Sequence, residues 1–143
     1  MLEARDVDTI VALQSECPEI AQWTVEDYAR VARGEMAGWI ALDDEGGPLT
    51  GFLVAREVAG DLEILNLAVR FDRRRRGTGT ELLQKSFAWG KSFGAAGALL
   101  EVRAANLAAL CFYQRHGFEV VGRRKNYYLS PVDDALVLRA ERL

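Results

Sequence analysis

The stretch LEILNLAVRFDRRRRGTGTELLQKSFAWG, residues 62–90, decides how the rest of the chain is read. It opens with an apolar run from Leu62 to Val69, broken only by Glu63 and Asn66, with the length of a buried strand. It then passes through four consecutive arginines, Arg73 to Arg76, and the turn Gly77-Thr78-Gly79. A helix follows from about Thr80 to Phe93, with Leu82, Leu83, Phe87 and Trp89 on part of an apolar face and Gly94 as its C-terminal cap. Ala98 to Val102 is a second strand. The order strand, Gly-rich turn, helix, strand implies a right-handed crossover, so the two strands are expected to be parallel neighbours.

The flanks read differently. Trp39 to Leu42 and Gly51 to Ala55 are strand-like, and the turn residues 43–48, Asp-Asp-Glu-Gly-Gly-Pro, predict an antiparallel hairpin between them. Helices are predicted from about Val7 to Glu16, ending before Pro18, and from Thr24 to Gly34, with Thr24 as N-cap and Glu26 and Asp27 in the first turn. Further on, a helix is expected from about Asn106 to His116, closed by Gly117. Short strands are expected at Phe118 to Val121 and Ala135 to Leu138. The fold class is therefore α/β (α+β): a mixed, mostly antiparallel sheet with a central parallel pair and helices on both faces.

A chain of 143 residues fits one domain, 1–143, with a core large enough to need no disulfide or metal. Cys17 and Cys111 are far apart and belong to no Cys/His cluster, so no metal site is expected. No apolar run approaches a membrane span, and the first residues carry no signal-peptide pattern, so a cytoplasmic location is expected. Net charge is -3, but it is unevenly distributed. Residues 1–69 hold 4 Lys/Arg against 14 Asp/Glu, and residues 70–143 hold 14 against 7. Such a chain can attract an anion at one place and a cation at another.

The anion is expected at Arg73–Gly79. Glycines let the backbone approach a ligand, and the N–H groups opening the next helix point at negative charge. Pyrophosphate fits best. A P-loop is excluded because no lysine follows Gly79, and a dinucleotide fingerprint because the third glycine is missing. A plain basic surface turn and an RNA-binding patch remain open, although no aromatics interleave with the arginines.

Glu101 stands inside the apolar strand Leu99-Leu100-Glu101-Val102-Arg103. Half-buried there, it would have a raised pKa and serve as a general base. The alternatives are that it pairs with Arg103 on the same face or lies at the strand end in water. Asn106 and Tyr113 are seven residues apart, nearly two turns, so they share one helix face and can follow an extended ligand. The Tyr113 hydroxyl could give a proton to a thiolate; otherwise Tyr113 is a half-buried aromatic. Leu107, Leu110, Cys111 and Phe112 read as core. His116, the only histidine, reads as a cation suited to a helix end, which leaves Ser-His-Asp and Cys-His hydrolases poorly supported.

These residues resemble a known family. Arg74-Arg75-Arg76-Gly77-Thr78-Gly79 fits the Gln/Arg-x-x-Gly-x-Gly/Ala signature of the GNAT N-acetyltransferases, which bind acetyl-CoA. Glu63 to Val69, Leu100 to Asn106, Tyr113 to Phe118 and Gly122 to Tyr128 with Asp134 to Leu136 are similar to the bacterial ribosomal-protein-alanine group within it. The likeness covers residues 50–138 and is weaker before them. It implies Glu101 as general base and Tyr113 as general acid. It implies that Leu67, Ala68 and Val69 meet the pantetheine arm and thioester, and that Asn106 contacts the cofactor. Arg74, Arg75, Arg76, Gly77, Thr78, Gly79 and Thr80 would hold the pyrophosphate. Ala105 departs from the serine common in the group, which removes one hydrogen bond.

The expected activity is acetyl transfer from acetyl-CoA, with no metal, to the α-amine of a protein N-terminus, by likeness the alanine end of a small-subunit ribosomal protein. Direct nucleic-acid binding and membrane binding are not expected. The competing readings are an acetyltransferase for a small-molecule amine and a non-catalytic acyl-CoA-binding regulatory domain.

Overall fold

The computed structural model describes residues 1–44 and 46–143. Its elements are α1 (Val7–Ser15), α2 (Val25–Ala32), β1 (Ala37–Leu42), β2 (Leu49–Val58), β3 (Asp61–Val69), α3 (Thr78–Ser92), β4 (Ala98–Arg103), α4 (Leu107–Arg115), β5 (Glu119–Leu129) and β6 (Val132–Ala140). Short 3-10 turns precede α1 and follow β3. The sheet order is β1-β2-β3-β4-β6-β5. The predicted parallel pair is present between β3 and β4, whereas β1–β2, β4–β6 and β5–β6 pair antiparallel. No described helix is long and apolar enough to cross a membrane.

The chain divides into two compact units, Met1–Arg56 with Leu65–Trp89, and Glu57–Ile64 with Gly90–Leu143. In the first, β1 and β2 form the expected hairpin, with Asp43 N–H donating to the Pro48 carbonyl at 2.9 Å. Glu45, part of that predicted turn, lies outside the described residues. Leu49 to Ala55 are buried on both faces of β2, as a continuous apolar run in a covered strand requires. Thr24 caps α2 as predicted: its hydroxyl accepts from Asp27 N–H at 3.1 Å, and the Asp27 carboxylate accepts from Thr24 N–H at 2.9 Å. Ile10, Leu13, Tyr28, Val31, Phe52 and Val54 belong to one core cluster.

In the second unit β4 pairs along its whole length with β6, from Ala98↔Ala140 to Arg103↔Ala135. β5 and β6 are much longer than the short strands expected from sequence. Every residue of β5 except Gly122 and Tyr128 is exposed, so the strand offers no apolar alternation to read. Its register also shifts around Asn126, which sits at φ 49°. Gly97 is buried before β4, and a Cβ there would strike the Ala140 carbonyl oxygen. Two backbones must part to admit it, so Gly97→Ala is expected to destabilise the protein by about 2–3 kcal/mol. In urea this lowers the unfolding midpoint by about 1 M, and an unchanged midpoint would refute the close approach.

Candidate active site

β3 alternates cleanly along its length: Leu62, Ile64, Asn66 and Ala68 are buried, whereas Leu65, Leu67 and Val69 are partly open. The parallel ladder with β4 comprises Leu62↔Ala98, Glu63↔Leu99 and Ile64↔Leu100. β3 runs on five residues beyond that ladder to Val69. The N–H groups of Leu67, Ala68 and Val69 are thus outside the pairing with β4 that holds the start of the strand.

The turn after β3 sorts its four arginines into two kinds. Arg73 binds Asp43 through Nε and Nη2 at 3.0 and 2.9 Å. Arg74 donates to the Val69 carbonyl at 3.1 Å and to Glu19 at 2.8 Å. These two tie the turn to the protein. Arg75 and Arg76 are exposed, and neither forms an ion pair among the described residues. Arg75 (φ 64°) and Gly77 (φ 82°) are both left-handed. Gly77 is required by that backbone angle, since a Cβ there would meet nothing within 4 Å. For Arg75 the conformation costs about 1–2 kcal/mol, and the residue is exposed. The α3 helix then opens at Thr78, two residues earlier than expected, and Glu81 N–H closes its first turn on the Gly77 carbonyl at 2.9 Å. The amides of Thr78, Gly79 and Thr80 therefore precede the first intrahelical bond.

In the second unit, Leu99, Glu101 and Arg103 share the open face of β4. Glu101 counts as exposed as a whole residue, but its side chain keeps only 30% of its surface open, close to the half-buried placement expected, and it forms an ion pair with Arg124 of β5, Oε1 to Nε at 3.1 Å. Pleat alternation turns it away from Leu100 and Val102, which are buried. It does not pair with Arg103, whose guanidinium lies 4.2 Å from the Tyr128 ring and donates to the Pro131 carbonyl at 2.9 Å.

Asn106 is the N-cap of α4, its Oδ1 accepting from Ala109 N–H at 3.2 Å. Its Nδ2 has no partner among the described residues. Tyr113 is buried, with its ring 5.2 Å from Phe112 and 5.4 Å from Phe118. Burial pushes its hydroxyl pKa well above the usual tyrosine range. That hydroxyl makes no hydrogen bond among the described residues. No fully buried polar side-chain atom among them lacks a partner, so the Tyr113 oxygen is not fully buried. The result is a proton donor on an apolar ring with its bonding position open.

Three other expectations change. Leu107 is 69% exposed and Cys111 is exposed, so neither belongs to the core. His116 is held below its ordinary pKa by burial and then by Arg115, which works against the cation expected at the helix end. No group of described residues could hold a metal ion. One feature escaped the sequence reading: a buried polar chain of Gln14, Tyr28 and Asn66. Its members lie 14 and 38 residues apart, and no local pattern connects them.

The comparisons with known proteins agree with this geometry. Residues 5–118 match the acetyltransferase (GNAT) family. A [ribosomal protein bS18]-alanine N-acetyltransferase of Escherichia coli is 34% identical over 96 residues, which span 66% of this chain and 65% of the relative, just under two thirds of its length. The crystal structure of the ribosomal-protein-alanine N-acetyltransferase of Escherichia coli superposes with a TM-score of 0.81 at 24% identity, covering 99% of this chain and 92% of that one. Arabidopsis thaliana NAA60 in complex with acetyl-CoA superposes with a TM-score of 0.87 at 21% identity, covering 96% and 94%. By residue pattern, fold and family match together, the chain belongs to the acetyltransferase (GNAT) family.

Proposed function

We propose that residues 1–143 act as one cytoplasmic N-acetyltransferase domain, which moves an acetyl group from acetyl-CoA to the α-amine of a protein N-terminus. The acceptor is the alanine end of a small-subunit ribosomal protein. The observation that carries the reading is the turn from Arg73 to Gly79, in which Arg75 and Arg76 are exposed without an ion pair among the described residues, while Arg73 and Arg74 hold the turn in place ahead of the α3 N-terminus. This suits the pyrophosphate of acetyl-CoA, with Arg74 acting as a brace and Arg75, Arg76 and the amides from Gly77 to Thr80 as ligands. When bound, acetyl-CoA supplies an activated thioester.

The protein's own groups do the rest. Backbone N–H groups at Leu67, Ala68 and Val69 stabilise negative charge on the thioester oxygen. Glu101 takes a proton from the amine as nitrogen bonds to the acetyl carbon. Tyr113 protonates the sulfur as the carbon–sulfur bond breaks, and Asn106 Nδ2 steadies the cofactor. The amine class follows from proton energetics. Freeing an α-amine of pKa about 7.8 costs about 1 kcal/mol at pH 7, whereas a lysine amine near 10.4 costs about 4.6 kcal/mol. An exposed carboxylate paired with an arginine suits the first. The E. coli relative's name, which specifies the alanine of bS18, supports the same acceptor.

Thiol release from acetyl-CoA is to be measured with an N-terminal ribosomal hexapeptide, an N-blocked lysine peptide and spermidine. Turnover is expected on the hexapeptide, with the acetyl group located on its α-nitrogen by mass spectrometry. Turnover confined to lysine or spermidine would discard the acceptor, and tight CoA binding without turnover would discard catalysis.

A further inference from the structure

Gln14, Tyr28 and Asn66 are 4%, 0% and 6% exposed, and the steps above use none of them. The Tyr28 hydroxyl donates to Gln14 Oε1 at 2.6 Å. Gln14 also pairs with the Trp23 backbone, accepting from its N–H at 3.0 Å and donating through Nε2 to its carbonyl. Asn66 Nδ2 donates to the Ala21 carbonyl at 3.0 Å and to the Tyr28 oxygen at 3.1 Å. The segment between α1 and α2 is thereby fastened to β3.

This network fixes which way round the Asn66 carboxamide sits. The Ala21 carbonyl has no proton to give, and the single Tyr28 proton is committed to Gln14. Both positions therefore require the amide nitrogen of Asn66. Its oxygen is left outside the network and accepts no hydrogen bond among the described residues. Every fully buried polar side-chain atom among them has a partner, so Asn66 Oδ1 is not fully buried. A residue only 6% exposed, rigidly held by two donated bonds and open only at an acceptor atom, is built to receive an N–H donor. Asn66 directly precedes Leu67, Ala68 and Val69, the backbone assigned to the thioester.

We propose that Asn66 Oδ1 accepts a hydrogen bond from the acceptor amine and holds its nitrogen beside β3. The inference rests on the acetyl-transfer reading. A neutral primary amine has two N–H bonds, one that is lost as nitrogen bonds to the acetyl carbon and one that remains for Asn66. An N-methylated amine has only one, so it cannot satisfy both.

The test compares Asn66→Ala and Tyr28→Phe with the unaltered protein, using the ribosomal hexapeptide and its N-methylated form. Asn66→Ala is expected to raise the acceptor KM about tenfold with acetyl-CoA affinity within about twofold, the effect of one lost hydrogen bond. It is also expected to erase most of the preference for the primary over the N-methylated amine, a preference that a purely steric pocket would keep. Tyr28→Phe retains Oδ1 and is expected to leave the acceptor KM within about threefold. An unchanged KM in Asn66→Ala, or an equal rise in both variants accompanied by equal loss of thermal stability, overturns the role. If Asn66→Ala does not fold, the Asn66 side-chain amide signals of labelled unaltered protein decide. They must shift when peptide is added in the presence of CoA, and unmoved signals overturn the role. Absence of turnover on every amine by the unaltered protein instead sinks the acetyl-transfer reading, and this role with it.

Discussion

Glu101→Gln is expected to lower kcat/KM for an α-amine acceptor by about 10²- to 10⁴-fold, the range of a well-placed general base. The substitution keeps the side chain's size and its place on the open face of β4, while removing the group that takes the proton. It also removes the ion pair with Arg124 at 3.1 Å. Arg124 is exposed and Glu101 only partly buried, so the loss of the pair costs about 1 kcal/mol of stability, and the protein should remain folded. Acetyl-CoA affinity should be unchanged, because no atom of Glu101 is assigned to the cofactor. The fraction of free α-amine falls below pH 8 for both proteins alike, so the fold loss should stay about constant across pH 6–9. A loss of less than threefold across pH 6–9 would remove Glu101 from the chemistry.

Tyr113→Phe is expected to reduce kcat by about 10²-fold, less than Glu101→Gln. The reason is the leaving group. A thiol of pKa about 8.5 departs tolerably as an anion, so the acid contributes less than the base. The phenylalanine ring keeps the packing on Phe112 and Phe118, so the unfolding midpoint should hold. The hydroxyl must be protonated to act, and burial holds its pKa above the usual value of about 10. Activity should therefore show no fall between pH 8 and 10 from this group. A step down in that window, absent from Tyr113→Phe, would mean that the hydroxyl ionises as readily as a free one.

The parts of the fold that follow from hydropathy were readable. β3 and its turn, the hairpin at β1 and β2, and the Thr24 cap all declare themselves through apolar runs, turn residues and a capping box. The β5–β6 hairpin was readable only at its inner ends. Phe118 to Val121 and Ala135 to Leu138 are apolar, whereas the charged run between them forms strand through pairing with β6, a non-local bond that no propensity reports. The site divides in the same way. The chemical types at Glu101, Tyr113 and Arg73–Gly79 were visible, but their environments were not. That Glu101 faces solvent depends on which way the β4 pleat falls. That Arg74 braces the turn depends on Glu19, 55 residues away. Asn66 looked like an interruption in an apolar strand because its partners come from other segments of the chain.

The outer edge of the sheet has a consequence for behaviour at high concentration. β5 stands last in the strand order and leaves a row of backbone donors and acceptors without a neighbouring strand. Val120, Val121 and Leu129 along it are 45%, 59% and 77% exposed, the ingredients of an adhesive strip. Midway stand Arg123, Arg124 and Lys125, and at Asn126 the strand bends. A second copy laid alongside would bring like charges face to face across a kinked ladder, so the basic triplet acts as a guard against self-association. Salt weakens that guard, because it screens charge repulsion without touching the hydrogen-bonding row beneath it.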